Sequence, residues 1–151
     1  MTLAAGSTII LLSCWLAAKS PDENAALCRD SSPEVRIKAC TVLILSGKEK
    51  TENLARAYYD RGLAYQSEED YDRAIQDFDQ AIRLKPKDTD FLTSRAYAYR
   101  HKGDYDRAIE DFNQAIRLRP DYLGAFMIRG DAYAKKKIMT TPSRITMRPS
   151  A

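Results

Sequence analysis

The sequence lacks the residue spacings on which metal sites and common catalytic centres depend. His101 is its only histidine, and its three cysteines, Cys14, Cys28 and Cys40, form no Cys-x-x-Cys pair. Zinc and related metals need several such ligands at short spacing, so no metal site is predicted. A glycine-rich phosphate loop and a nucleophile paired with histidine are also missing. We therefore expect no catalytic residues, no cofactor and no enzyme activity.

Most of the chain also lacks an excess of positive charge. The sequence has 24 Lys and Arg residues against 21 Asp and Glu residues, but five of the basic residues lie beyond Asp131, the last acid. Residues 1–134 therefore carry 19 basic and 21 acidic side chains. A body with this balance and no basic stripe binds phosphates poorly, so no nucleic-acid partner is predicted.

The N-terminal region lacks charge until Lys19, and residues 3–18 (LAAGSTIILLSCWLAA) are mostly apolar. An export signal needs an apolar region of about 7 to 15 residues, whereas a membrane span needs about 20. Ala17 and Ala18 offer a cleavage site, although the usual basic residues at the start are missing. We interpret residues 1–20 as a signal segment and expect export to the periplasm or secretion, with no membrane span in the mature chain. The alternative is a buried N-terminal helix in a cytoplasmic protein.

Export would leave Cys28 and Cys40 in an oxidising compartment. Two thiols in such a compartment favour a disulfide, which would close a short loop and stabilise the fold by roughly 3 kcal/mol in the chain-entropy picture. The alternative is that both cysteines are small buried hydrophobic residues.

An internal repeat is the strongest signal that the sequence does contain. Residues 55–88 and 89–122 align without gaps over 34 positions, and 17 of these are identical. The longest shared block, DYDRAI, occupies residues 70–75 and 104–109. A period of 34 residues is typical of stacked helix pairs.

The repeat resembles the tetratricopeptide repeat (TPR) family. That family places small residues at repeat positions 8, 20 and 27, aromatic residues near positions 4, 11, 17 and 24, and proline at position 32. In the first repeat these positions hold Gly62, Ala74, Ala81, Tyr58, Tyr65, Tyr71, Phe78 and Pro86. The resemblance implies an all-α fold, a short right-handed superhelix of antiparallel helix pairs known as an α-solenoid.

The residue types themselves agree with this architecture. Small side chains allow two helices to approach closely, and large aromatic side chains fill the space between neighbouring pairs. We therefore predict that the aromatic stripe, Phe78 included, belongs to the core. Pro86 and Pro120 should end the second helix of each repeat.

The repeat frame also divides the rest of the chain. A third repeat begins at Leu123, and its first helix is predicted over residues 123–137. Upstream, residues 33–46 are predicted as a helix with Ser32 as its N-cap and Gly47 beyond its end. Residues 21–54 as a whole are interpreted as a helical N-terminal cap or a degenerate half-repeat.

The C-terminal residues 138–151 (IMTTPSRITMRPSA) lack acids, aromatics and a helical period where a second helix is due. Read one base out of register from the third base of the Lys136 codon, with synonymous codons, the same nucleotides permit EDYDHAIADYDEAIR, which resembles a TPR second helix. We hypothesise that one base was lost in the run encoding residues 135–137; a genuine disordered tail is the alternative. An uncovered end of this kind favours self-association.

The resemblance also implies a function. First helices of successive TPR repeats line a concave groove that takes a peptide or a partner's helix, so we expect a non-catalytic protein–protein interaction module. Groove positions 2, 5, 9 and 12 supply the candidate partner-binding residues Arg56, Tyr59, Leu63, Thr93, Tyr97, Arg100 and Met127. The alternative is a decayed, truncated copy of a longer TPR protein with no retained function.

One specialised form of the groove is not expected. Chaperone-type TPR domains hold a terminal carboxylate with asparagine and lysine at fixed groove positions. Position 6 of the three repeats reads Asp60, Ser94 and Ile128 in this chain. The carboxylate clamp is therefore not predicted.

Overall fold

The fold is a series of consecutive helices, which a computed structural model describes over residues 19–30 and 32–140. In chain order the helices are α1 (Pro21–Asp30), α2 (Pro33–Ser46), α3 (Thr51–Ser67), α4 (Tyr71–Leu84), α5 (Thr89–His101), α6 (Tyr105–Leu118) and α7 (Leu123–Thr140). No strand occurs in this part of the chain. The predicted all-α class is confirmed.

The helices stack in sequence order. Each helix packs against the next along the chain, and α1 and α3 also touch the helices two places further on, α3 and α5 respectively. Such nearest-neighbour stacking is the mark of a helical solenoid. The first helices of the repeats, α3, α5 and α7, therefore alternate with the second helices α4 and α6 in the stack.

The shared DYDRAI block starts the second helix of each repeat. The side chains of Asp70 and Asp104 accept hydrogen bonds from the backbone N–H groups of Arg73 (3.0 Å) and Arg107 (3.1 Å). These bonds satisfy donors that a helix start leaves without a partner. The residues just before the two caps, Glu69 and Gly103, have positive φ angles of 59° and 79°, which turn the chain into the new helix.

The core of each repeat is centred on one phenylalanine of its second helix. Phe78 and Phe112 are 0% and 1% exposed. The prediction that Phe78 belongs to the core is confirmed. The tyrosines of the same stripe lie closer to the edge, since Tyr65 and Tyr71 are only partly buried.

The N-terminal segment contains two helices. The predicted helix over residues 33–46 is confirmed as α2, with Gly47 in the left-handed conformation at its end. A further helix, α1, precedes it and packs against it. The structure joins Cys28 of α1 to Cys40 of α2 by a disulfide, and both residues are buried together with Leu43 and Ala57.

The C-terminal helix is longer than its sequence indicated. We predicted an end near residue 137, whereas α7 continues to Thr140. That prediction was wrong because Lys137, Ile138 and Met139 all tolerate a helix, and the first residue that opposes one is Pro142. Residues 141–151 of the predicted tail and residues 1–18 of the predicted signal segment lie outside the described residues.

Candidate functional site

The surface of interest is formed by repeat positions 2, 5, 9 and 12 of the first helices, and we call it the inner face. Its residues are Arg56, Tyr59, Leu63 and Gln66 of α3, Asp90, Thr93, Tyr97 and Arg100 of α5, and Gly124, Met127, Asp131 and Ala134 of α7. Residues three or four apart on a helix share one side, so each helix presents its four residues as a strip. Polar contacts then join the strips of neighbouring helices.

Arg56 and Asp60 form an ion pair at the N-terminal end of the inner face. Arg56 Nε donates to both carboxylate oxygens of Asp60, at 3.0 and 3.1 Å. Burial raises the pKa of Asp60, and the neighbouring Arg56 guanidinium opposes that shift. The Arg56 side chain itself remains 58% exposed, so it can still meet a ligand.

Tyr59 and Leu63 are partly buried, whereas Arg56 on the same strip is exposed. The Tyr59 ring lies 4.7 Å from the Phe91 ring and 5.9 Å from the Phe78 ring, measured between centroids. Leu63 packs against the cluster that contains Phe78. Burial raises the pKa of the Tyr59 phenol, whose oxygen accepts a hydrogen bond from Ser94 Oγ at 3.3 Å. Both residues therefore support the junction of α3 with α5 as well as lining its surface.

Contacts between Tyr97, Arg100 and Asp131 link α5 to α7. The Arg100 guanidinium lies over the Tyr97 ring, with Cζ 5.2 Å from the centroid. Its Nη1 donates to Asp131 Oδ2 of α7 at 2.9 Å. Met127 lies four residues before Asp131 on the same side of α7, and 76% of its surface is exposed. Aromatic, cationic, anionic and apolar groups thus follow one another across the two helices.

Thr93 and His101 complete the α5 part of the site. Thr93 Oγ1 donates to the carbonyl of Thr89 at 2.9 Å, so its hydroxyl is already used within the helix. The His101 ring lies 4.4 Å from that of Tyr97 and stacks on Tyr71 at 5.0 Å. Burial lowers the pKa of His101. Sequence reasoning missed this histidine as a support for Tyr97; its spacing four residues after Tyr97 was the available signal.

A cavity of about 230 Å³ adjoins the inner face at its N-terminal end. Its lining includes Cys28 and Arg29 of α1, Leu43 of α2, and Arg56 and Asp60 of α3. The disulfide therefore borders the same space as the Arg56–Asp60 ion pair. Sequence reasoning missed this cavity, because it depends on how α1 stacks against α3.

The site contains no constellation for metal binding. Within residues 19–30 and 32–140, no group of three or more His, Cys, Asp or Glu side chains could hold a metal ion. Over the same residues, no helix has the length and apolar character needed to cross a bilayer.

An all-α stack of helix pairs with a polar and aromatic face along its first helices is a helical-repeat solenoid. The tetratricopeptide repeat family model matches residues 59–122 and 95–140, which together cover more than half of the chain. The chain therefore belongs to the tetratricopeptide repeat family. Proteins of this family are generally protein-interaction modules.

Solved structures share the fold. A crystal structure of MamA protein superimposes with a TM-score of 0.64 and 25% identity, covering 70% of this chain and 56% of that one. A second MamA crystal structure gives the same score and identity and is covered over 60% of its length. The chain thus spans less than two thirds of either MamA chain.

A larger protein shares the fold alone. The structure of a mutant O-GlcNAc transferase from Thermobaculum terrenum has a TM-score of 0.59 and 21% identity, over 87% of this chain but 23% of the transferase. A search of curated protein sequences found no significant match.

Proposed function

We propose that the chain is a non-catalytic module that holds a peptide or a partner protein on its inner face. The observation that carries this proposal is the linked group of Tyr97, Arg100 and Asp131 across α5 and α7, with the exposed Met127 one turn before Asp131. Large aromatic, arginine and methionine side chains are the types enriched where proteins meet. Membership of the TPR family supports the same interpretation.

The charges of the inner face indicate a ligand with both apolar and acidic groups. Arg56 is 58% exposed at one end, and Met127 is 76% exposed at the other. An exposed arginine favours a carboxylate and an exposed methionine favours an apolar side chain, so an extended, partly acidic peptide fits this face best.

The compartment is part of the proposal. An exported protein, periplasmic or secreted, is supported by the apolar residues 3–18 and by the pairing of Cys28 with Cys40, since disulfides persist in oxidising compartments. A cytoplasmic protein with a buried N-terminal helix is the alternative, and there the two thiols would stay reduced.

The test is quantitative capture of partners from the native compartment, with the intact chain as bait. Tyr97→Ala should lose the specific partners, because it removes the ring on which Arg100 rests. Tyr105→Ala is the matched control, since Tyr105 is also partly buried but belongs to the second helix α6. A captured partner must then bind the purified chain in titration calorimetry and lose affinity with Tyr97→Ala only.

Failure to capture a partner that depends on Tyr97 favours the second candidate, a copy with no retained function. If no partner distinguishes the chain from its Tyr97→Ala variant, the inner face is unused. The chain would then be better explained as a decayed, truncated copy of a longer TPR protein with no retained function.

A further inference from the structure

The first two repeats are closed by the same buried ion pair. Arg61 of α3 binds Asp77 of α4 through Nε and Nη2, both at 2.7 Å. Arg95 of α5 binds Asp111 of α6 in the same way, at 2.8 and 2.6 Å. Both aspartates are 5% exposed. Each repeat therefore fixes its second helix on its first with a two-bond guanidinium–carboxylate pair.

Each arginine also reaches back to the preceding repeat through its remaining nitrogen. Arg61 Nη1 donates to Thr41 Oγ1 of α2 at 2.9 Å, and Arg95 Nη1 donates to Asp79 Oδ1 of α4 at 2.6 Å. Arg129 of α7 makes this backward bond, donating from Nη1 to Asn113 Oδ1 at 2.7 Å. Among the described residues, no carboxylate binds Arg129 as Asp77 binds Arg61.

The side of α7 that carries Arg129 is also less covered than the same side of the earlier first helices. A Cβ added at Gly62 would come within 2.6 Å of the Phe78 ring, whereas one added at Gly130, the same repeat position, meets no described atom within 4 Å. Phe126 and Tyr133 are 39% and 51% exposed. Their counterparts in the second repeat, Leu92 and Tyr99, are 0% and 7% exposed, so the third repeat exposes what the others cover.

Helix α7 nevertheless packs on α6 in the same way as α5 packs on α4. Its Lys136 pairs with Asp106 of α6, as Lys102, the residue directly after α5, pairs with Asp72 of α4. The surface of Phe126, Arg129, Gly130 and Tyr133, which we call the open face, is therefore presented in the register of a complete repeat.

We propose that the open face is a second binding surface, separate from the inner face, and that it takes an amphipathic helix with the chemistry of a TPR second helix. Four features define that helix: a basic residue, alanine directly after it, aspartate four residues after it, and an aromatic residue next to the aspartate. The aspartate binds Arg129 as Asp77 binds Arg61. The aromatic ring fills the space over Gly130.

The basic residue of the docking helix has a matching aromatic ring on α7. Arg73 and Arg107 lie over the rings of Tyr65 and Tyr99, with Cζ 4.4 Å from each centroid. Tyr133 occupies the corresponding position of α7, so a basic residue of the docking helix rests on its exposed ring. The out-of-register reading that synonymous C-terminal codons permit includes HAIADYDEA, which has the spacing of RAIQDFDQA at residues 73–81.

The experiment titrates the intact chain against a fluorescent peptide that copies residues 103–120, GDYDRAIEDFNQAIRLRP, up to about 1 mM, because a peptide that folds on binding binds weakly. Saturable binding is expected from the anisotropy. Two variants of the peptide change its EDF sequence: the aspartate is replaced by asparagine, or the phenylalanine by alanine. Each should weaken binding by at least about tenfold, since both side chains are anchors.

Variants of the chain locate the site. Arg129→Met and Gly130→Ala should each weaken binding by at least about tenfold. Arg83→Met, at an exposed arginine of α4, should leave it unchanged. Circular dichroism checks that each variant is folded, and the peptide variants need no altered chain.

Three outcomes would overturn the proposal. They are no binding of the peptide at the highest concentration, equal binding of the asparagine peptide, and equal binding by Arg129→Met. Dilution-dependent size of the chain alone, with no peptide binding, would assign the open face to a second copy instead.

Discussion

The ring of Phe78 lies directly against the backbone of Gly62, where an added Cβ would stand 2.6 Å from Cε1 and 2.9 Å from Cδ1. Real Cβ atoms do not approach so closely, and the fully buried ring has no free space into which to move. The distance between α3 and α4 is therefore set by the absence of a side chain at position 62.

Alanine substitution at Gly62 and Gly130 should act in opposite directions. Gly62→Ala should lower the free energy of unfolding by about 2 kcal/mol, because overpacking outweighs the helix preference of alanine. Gly130→Ala should raise it by about 0.5 to 1 kcal/mol, since the new methyl group meets no described atom. Urea denaturation followed by circular dichroism measures both. Equal effects of the two substitutions would contradict the claim that the first repeat is closely packed at Gly62 and the third is open at Gly130.

Arginine substitution should distinguish a complete ion pair from an incomplete one. Arg95→Met leaves Asp111 buried without its partner and should cost about 3 to 5 kcal/mol of unfolding free energy. Arg129→Met removes the bond to Asn113 and the contact of the guanidinium with the Phe126 ring, but it leaves no buried charge alone and should cost no more than about 1 kcal/mol. The double variant Arg95→Met with Asp111→Leu should recover most of the loss, because no buried charge is left alone. Failure of that recovery would indicate that Arg95 acts through packing.

Reduction of the disulfide should loosen the N-terminal helices selectively. Opening the bond between Cys28 and Cys40 should lower stability by roughly 3 kcal/mol in the chain-entropy picture. Hydrogen exchange should then rise in α1 and α2, while α4 and α6 keep their protection. The Cys28→Ser, Cys40→Ser variant should reproduce the exchange pattern without reductant. Alkylation of both thiols in unreduced protein from its native compartment would show that the bond does not form there.

Because Asp104 caps α6, the stability of the protein should depend on pH in the acid range. The Arg107 guanidinium, and then its backbone N–H, hold the pKa of Asp104 below its ordinary value of 3.8. A lowered folded pKa contributes stability that is present above the unfolded pKa and is lost as pH falls through the folded value. Asp104→Asn keeps a capping side chain, so it should flatten the decline in urea midpoint below about pH 4. The control Asp121→Asn, at an exposed aspartate, should leave the decline unchanged.

The sequence predicted the paired helices well because their packing is local and repeated. Gly62 and Phe78 are separated by the same interval as Ala96 and Phe112, so the alignment predicted the close approach of the two helices, although not the contact of Phe78 with Gly62 itself. Helix α1 was not predicted as a repeat helix, because it is held by contacts with α2 and α3 that follow no shared residue pattern.

The candidate site was harder to predict than the fold. Repeat positions indicate which side of a helix a residue occupies, but the depth of its side chain depends on the next repeat. Tyr59 is half-buried because Phe91 stands beside it, whereas Met127 is exposed because little covers α7. The link from Arg100 to Asp131 likewise depends on the separation of α5 and α7, which no alignment of one repeat with another supplies.

The hydrogen bonds of Arg61, Arg95 and Arg129 also bear on how the chain responds to a pulling force. Arg61 and Arg95 each join three helices, so a force on one helix is distributed to its neighbours. Among the described residues, the hydrogen bond of Arg129 joins only α6 and α7. Under a pulling force applied at the C-terminal end, α7 should peel away first and at low force, and the remaining repeats should then yield in a separate, larger step.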